Sequence, residues 1–203
     1  MQKSALEVGV DVPWVTSWTA EEIGGVRPCA SVGGRPAAWQ ADRPGYGKPQ
    51  YSKNHLVRQR WSVRRMLCPM CGQPTEAGDR WTQVAQLHPV GLLRATGRGA
   101  GLPGQLKDEQ LVQDAGSIAP LHKACVDRSL MHCPHLKADP HVNVMPFPER
   151  WIVLPLLVEA RDDRPGHALM ARPRAPMAVV MFLQLCGLTD AVEPKWRKLL
   201  RAA

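Results

Sequence analysis

Two short strings constrain this chain more than anything else in it: Cys68-Pro-Met-Cys71-Gly72 and His122-Lys-Ala-Cys125. Two residues between cysteines allow a tight turn that aims both sulfurs at one point, and the glycine that follows lets the backbone swing past without a side-chain clash. A histidine and a cysteine three apart share one face of a helix, so the imidazole and thiolate of the second string converge as well. Pro120 suits the first turn of a helix over Leu121–Met131, and Pro134 stops it. The start of such a helix turns backbone N–H groups toward anionic sulfur. Three thiolates and an imidazole are the donors a tetrahedral zinc ion takes, so Cys68, Cys71, His122 and Cys125 are the expected ligands and Zn2+ the expected cofactor.

A knuckle, a hairpin and a helix bearing the second ligand pair make a treble clef. The expected fold class is therefore α+β, with a small zinc-bound treble-clef-like core over residues 48–145. A loop-rich N-terminal arm (1–47) precedes it, and a C-terminal extension of strand and helices (146–203) packs on it. The chain between the ligand pairs exceeds a minimal hairpin, and residues 91–116, which include RATGRGAGLPGQ, read as a loop insertion. With 19 Pro and 17 Gly in 203 residues, turns are many, and a metal crosslink would help so loop-rich a chain hold together. The ligand set has a competitor: HCPHL at 132–136 puts Cys133 within reach, so Cys125 and Cys133 with the knuckle form another possible tetrad. A second metal held by Cys133, His135 and His141 is a further option. Cys29 and Cys186 read as structural thiols.

Elsewhere, Trp14, Trp18 and Trp39 are suited to pin the arm to the core by their apolar area. HLVRQRWSVRRML reads as a short helix or strand leading into the knuckle. Trp81–Leu87 reads as a strand, and Trp151–Val158 as a buried strand that Pro155 places at an edge. Met177–Leu185 reads as an apolar helix closed by Gly187. Pro194–Ala203 reads as a short helix with Trp196, Leu199 and Leu200 opposite its basic residues. No internal repeat is evident. Met177–Leu185, the longest apolar run, is about half the length a membrane span needs, so no membrane partner is expected. The first residues lack the apolar core of a signal peptide, which makes a cytoplasmic protein with reduced thiols the expectation.

The formal charge of +8 favours polyanionic partners, nucleic acid first. No acidic residue occurs from Arg43 to Thr75, where Arg58, Arg60, Arg64 and Arg65 are the expected phosphate contacts. Lys195, Arg197, Lys198 and Arg201 form a second basic patch. Trp61 could stack on a base or pack in the core. Trp-rich arms and an apolar edge would equally suit a protein partner. There is no GxSxG, P-loop, HExxH or paired-carboxylate signature, and Glu159, Asp162 and Asp163 read as a solvated cluster, so a non-enzymatic role is favoured.

PLHKACVDRSLMHCPHL resembles a segment of uncharacterised phage and actinobacterial zinc-knuckle proteins, which pair a CxxCG turn with a later P-x-C-x-x-C-A-x6-C-P-H-L. Pro120, Cys125, Cys133, Pro134, His135 and Leu136 match, and His122 stands where that family has a cysteine, an exchange that keeps a zinc ligand. The likeness covers about a sixth of the chain. It implies a zinc-binding phage product in the host cytoplasm, with no known activity, and admits a regulator that binds a host protein. The stretch from Ser117 to Val126 is also distantly similar to the second half of the HNH endonuclease scaffold. Nuclease chemistry there needs a histidine base beside a divalent ion. Here the Asp-His pair is missing, His88 alone could replace the base, and Val126 occupies the position of the histidine expected after the last cysteine.

Overall fold

The computed structural model describes residues 2–83, 85–116, 118–140, 142–159 and 178–201; the side chains of Glu159 and Arg201 lie outside that description. Its elements are β1 (Thr16–Trp18), β2 (Ile23–Pro28), β3 (Pro36–Gln40), β4 (Pro49–Asn54), α1 (Leu56–Arg65), β5 (Trp81–Thr82), β6 (Gln86–Pro89) and α2 (Val90–Ala95). β7 (Gln110–Asp114), α3 (Lys123–His132), α4 (Pro134–Ala138), β8 (Met145–Pro146), β9 (Arg150–Glu159) and β10 (Ala178–Val192) follow. The fold is mixed α and β, as expected. No helix among the described residues is long and apolar enough to cross a membrane.

β10 organises the molecule. It pairs with β9 in antiparallel register from Ala178↔Glu159 to Leu188↔Arg150. It meets β3 in parallel at Val180↔Ala37 and β7 antiparallel from Cys186↔Asp114 onward. β2 on β3 and β6 on β7 complete a six-stranded sheet. The apolar run expected as a helix over Met177–Leu185 is thus a strand over its described part, Ala178–Leu185. A short apolar run fits either buried element, and here the preceding apolar segment supplies a full ladder partner. β9 is the strand expected at Trp151–Val158, and among the described residues it pairs only with β10.

Residues 91–116 correct the expectation of a loop insertion. α2 begins one residue before them, and β7 brings Val112 and Gln113 into the interior between β6 and β10. Residues 1–47, expected as a loop-rich arm, carry β2 and β3 of the main sheet and β1, which pairs with β4. The strand expected at Trp81–Leu87 is two pieces, β5 and the start of β6. The tail forms a 3-10 helix, Trp196–Arg201, whose Trp196 is buried and which packs on α2.

α1 lies against β10 and β3. Its Leu56, Gln59, Arg60 and Val63 fall at helical spacing on the buried face. Gln59 acts as a surrogate strand: its Nε2 donates to Leu183 O (2.7 Å) and its Oε1 accepts from Leu183 N (3.1 Å). The central apolar cluster joins Val63 and Met66 to Ala37, Phe147, Leu157, Val180, Leu183 and Leu185. A separate cluster of Cys68, Met70, Leu121, Cys125 and Val126 surrounds the knuckle.

Candidate metal centre

After α1, Met66 takes a left-handed conformation (φ 51°) and turns the chain into the knuckle. Leu67 and Pro74 bridge its base, Cys68 N donates to Gln73 O (2.8 Å), and Gly72 N donates to Cys68 O (2.8 Å). Gly72 has φ +78° with the Trp14 ring directly over its α-carbon; an added Cβ would lie 2.8 Å from it. The second half arrives through Leu121, which exchanges two backbone hydrogen bonds with Trp81 (2.8 and 2.9 Å). β5 pairs with β8 on its other side. His122 is the N-cap residue of α3, and the Asp79 carboxylate accepts from Lys123 N at 2.7 Å, satisfying a first-turn amide.

These two halves bring the side chains of Cys68, Cys71, His122 and Cys125 together, with all four potential ligand atoms within 4.8 Å of one another. His122 Nδ1 lies 3.4 Å from Cys71 Sγ and 3.9 Å from Cys125 Sγ. Zinc–sulfur bonds of about 2.3 Å in a tetrahedron space the sulfurs roughly 3.8 Å apart, so the arrangement closes on one ion with shifts below about an ångström. His122 Nε2 donates to Pro74 O at 3.0 Å, which leaves Nδ1 free to ligate and fixes the ring. Cys68 and Cys125 are buried, while Cys71 and His122 are half-buried.

Without a cation the electrostatics keep these sulfurs protonated. Burial pushes the Cys68 thiol up, against hydrogen bonds from backbone N–H groups of Cys71, His122 and Met70 that favour its thiolate. Burial, then the neighbouring sulfurs of Cys68 and Cys71, push Cys125 up to about 12. Three sulfurs this close cannot all be anions unless a positive charge sits among them, and a metal ion supplies that charge. The site can therefore hold a metal ion.

A second cluster of possible ligands, Glu21, Asp42 and His55, already holds a guanidinium of the chain. Arg58 grips Glu21 through Nη1 (2.6 Å) and Nη2 (2.9 Å) and also contacts Asp42. His55 Nδ1 accepts from Arg58 N (3.2 Å), so Nε2 carries the proton and donates to Ala41 O (3.0 Å). With both ring nitrogens engaged and a guanidinium between the carboxylates, this is an ion-pair knot rather than a metal site.

Arg58 and Arg60 correct the expectation of phosphate contacts. Arg58 is 3 % and Arg60 0 % exposed. Arg60 donates to Ser31 Oγ, Ala38 O and Met181 O, each at 2.8 Å, and reaches Cys29 Sγ at 3.6 Å. A guanidinium consumed by interior acceptors has nothing left for a phosphate. Arg64 and Arg65 are exposed, with Arg65 stacked 3.8 Å over Trp61. Lys195, Arg197 and Lys198 are also exposed; the Arg201 side chain lies outside the described residues. Cys133 and His135 belong to neither ligand cluster among the described residues, and His141 lies outside them. His88 Nε2 is buried with no hydrogen-bond partner, and burial followed by the Arg98 charge lowers its pKa.

The knot around Glu21 and the Arg60–Cys29 contact escaped the sequence reading. For Arg60 the signal was present: it stands four residues after Leu56 and three before Val63, on the apolar face of α1. Compared with family models, with curated proteins and with solved structures, the chain matches none.

Proposed function

We propose that the chain binds one structural zinc ion through Cys68, Cys71, His122 and Cys125, in a treble-clef-like unit, and serves as a zinc-stabilised module that meets nucleic acid through an exposed basic surface. The convergence of the tetrad carries the first part. Its four donors are the soft and borderline set zinc prefers, and four protein ligands leave no open position for substrate, which suits structure rather than catalysis. For the second part, Arg64, Arg65, Lys195, Arg197 and Lys198 extend into solvent on a chain of net charge +8. Contacts of that kind give affinity and salt dependence with little base specificity.

Elemental analysis of the purified chain tests the metal: one zinc per chain is expected, and Cys71→Ser should lose it. Titration of a generic duplex and a single strand at low and moderate salt tests the partner. Binding that weakens steeply as salt rises supports the reading, and no binding at low salt removes it.

A protein partner is the second reading, favoured by β2. All six of its residues are exposed, Ile23 and Val26 about half so, and among the described residues its outer edge pairs with no strand. The HNH-like nuclease reading has no such support, since the free ring nitrogen of His88 is enclosed.

A further inference from the structure

The N-terminal segment touches both halves of the candidate metal centre. Trp14 N donates to Met70 O (2.8 Å) and Val15 N to Pro69 O (3.0 Å), the two carbonyls between Cys68 and Cys71. Gly9, in a left-handed conformation (φ +87°), passes so close that an added Cβ would lie 3.2 Å from Cys71 O. Trp14 covers Gly72. From the other half, Arg128, three residues beyond Cys125 on α3, donates through Nη2 to Gly9 O at 3.0 Å.

We infer that residues 7–18 form a strap whose docking depends on the metal, an inference that rests on the zinc reading above. The strap's acceptors on the knuckle are the peptides between the first two ligands, so their direction is set by how Cys68 and Cys71 bind. Its contact on α3 comes from the element that the second ligand pair ties to that knuckle. Without the ion, those carbonyls keep only the knuckle's own backbone hydrogen bonds and the halves only their apolar cluster and the Leu121–Trp81 bridge, a weaker hold on the strap's acceptors. The strap then continues into α1: His55 N donates to Val15 O (2.7 Å), and Arg58 Nη2 donates to Thr16 O (2.8 Å). Metal occupancy is thereby passed to the start of the helix that ends in Arg64 and Arg65. The β9–β10 strand pair makes an internal control, because its apolar clusters do not include the ligands.

Hydrogen exchange followed by mass spectrometry on the full chain, zinc-loaded and after chelation, tests this. Exchange in a peptide covering residues 7–18 should speed by about tenfold or more on chelation, while peptides from β9 and β10 hold their protection. A strap equally protected without metal overturns the inference. So does simultaneous loss in the strap and in β9 and β10, since the ion would then hold the whole chain rather than the strap. Trp14→Ala should keep one zinc per chain yet exchange fast in residues 7–18; unchanged strap protection in this variant counts against the strap alone. A wild-type chain that takes up no zinc fails at the metal reading itself, a result separable from all of these.

Discussion

The guanidinium of Arg60 ends 3.6 Å from the sulfur of Cys29, and among the described residues no carboxylate pairs with it. Its other acceptors are neutral, Ser31 Oγ and backbone carbonyls. A fully buried cation with neutral neighbours is costly, and the thiol is the nearby group able to become its anion. Burial works against that thiolate, but the Ser31 hydrogen bonds, one at 3.0 Å, and the Arg60 charge outweigh burial and hold Cys29 below the ordinary thiol value of 9.0. Alkylation of Cys29 across pH, read by peptide mapping of the zinc-loaded chain, should therefore have its midpoint below 9.0, and Arg60→Met should move it upward. Because the folded value is the lower one, the pair's contribution to stability is complete above 9.0 and lost as pH falls through the folded value. The variant should flatten that slope and cost about 2–4 kcal/mol in chemical denaturation, since several interior carbonyls lose their donor. An alkylation midpoint unmoved by Arg60→Met would separate the two residues.

Acid should act on the knot around Glu21. Burial, then the Arg58 charge, push the His55 pKa below 6.5, so the folded chain keeps this ring neutral where the unfolded chain takes up a proton. Stability is thus retained above 6.5 and falls as pH drops from there through the folded value. His55 ring signals in NMR should show no titration around the free-histidine midpoint. Glu21→Gln leaves Arg58 buried against a neutral amide and should cost roughly 3–5 kcal/mol, the scale for breaking one side of a buried ion pair. A loss below about 1 kcal/mol would show that water reaches the knot.

Gly72→Ala should be destabilising by about 1–3 kcal/mol and should loosen the knuckle, because a methyl group meets both a left-handed backbone and the Trp14 ring. Gly78→Ala is the matched control: no atom lies within 4 Å of its added Cβ and its φ is not positive. Thermal melts of the two zinc-loaded variants should therefore separate, and equal melting temperatures would mean that Trp14 yields at no cost.

The tetrad was legible because each half is local: two residues set a turn, and three carry the chain from the N-cap His122 to Cys125 in the first turn of α3, whatever lies between. What the sequence hid is non-local. Ala178–Leu185 carries an apolar run compatible with helix or strand, and only the ladder with β9 decides it. β7 sits behind a glycine-rich stretch, and its place between β6 and β10 comes from pairing with residues more than twenty and seventy positions away (Leu87↔Gln113, Val112↔Leu188). Arg58 and Arg60 were misread for a different reason. Counting charge along a basic stretch ignores depth: the first turns of α1, which carry Arg58 and Arg60, are enclosed by the fold, whereas Arg64 and Arg65 at its end are exposed.

That difference in burial yields the sharpest test of the proposed partner. If nucleic acid binds through cations in solvent, Arg64→Ala with Arg65→Ala should weaken it uniformly across sequences and reduce the slope of log affinity against log salt by about 1–2. Fold and zinc content should hold, since Arg64 makes one exposed contact, to Ala30 O at 3.2 Å, and Arg65 stacks on Trp61. Lys195→Ala with Lys198→Ala tests the second patch by the same slope. Arg58→Ala should do the reverse, destabilising the chain while leaving the salt slope of the folded fraction alone, because its charge is spent on Glu21 and Asp42. A slope that responds to neither exposed pair would place binding elsewhere and move the weight to the open edge of β2.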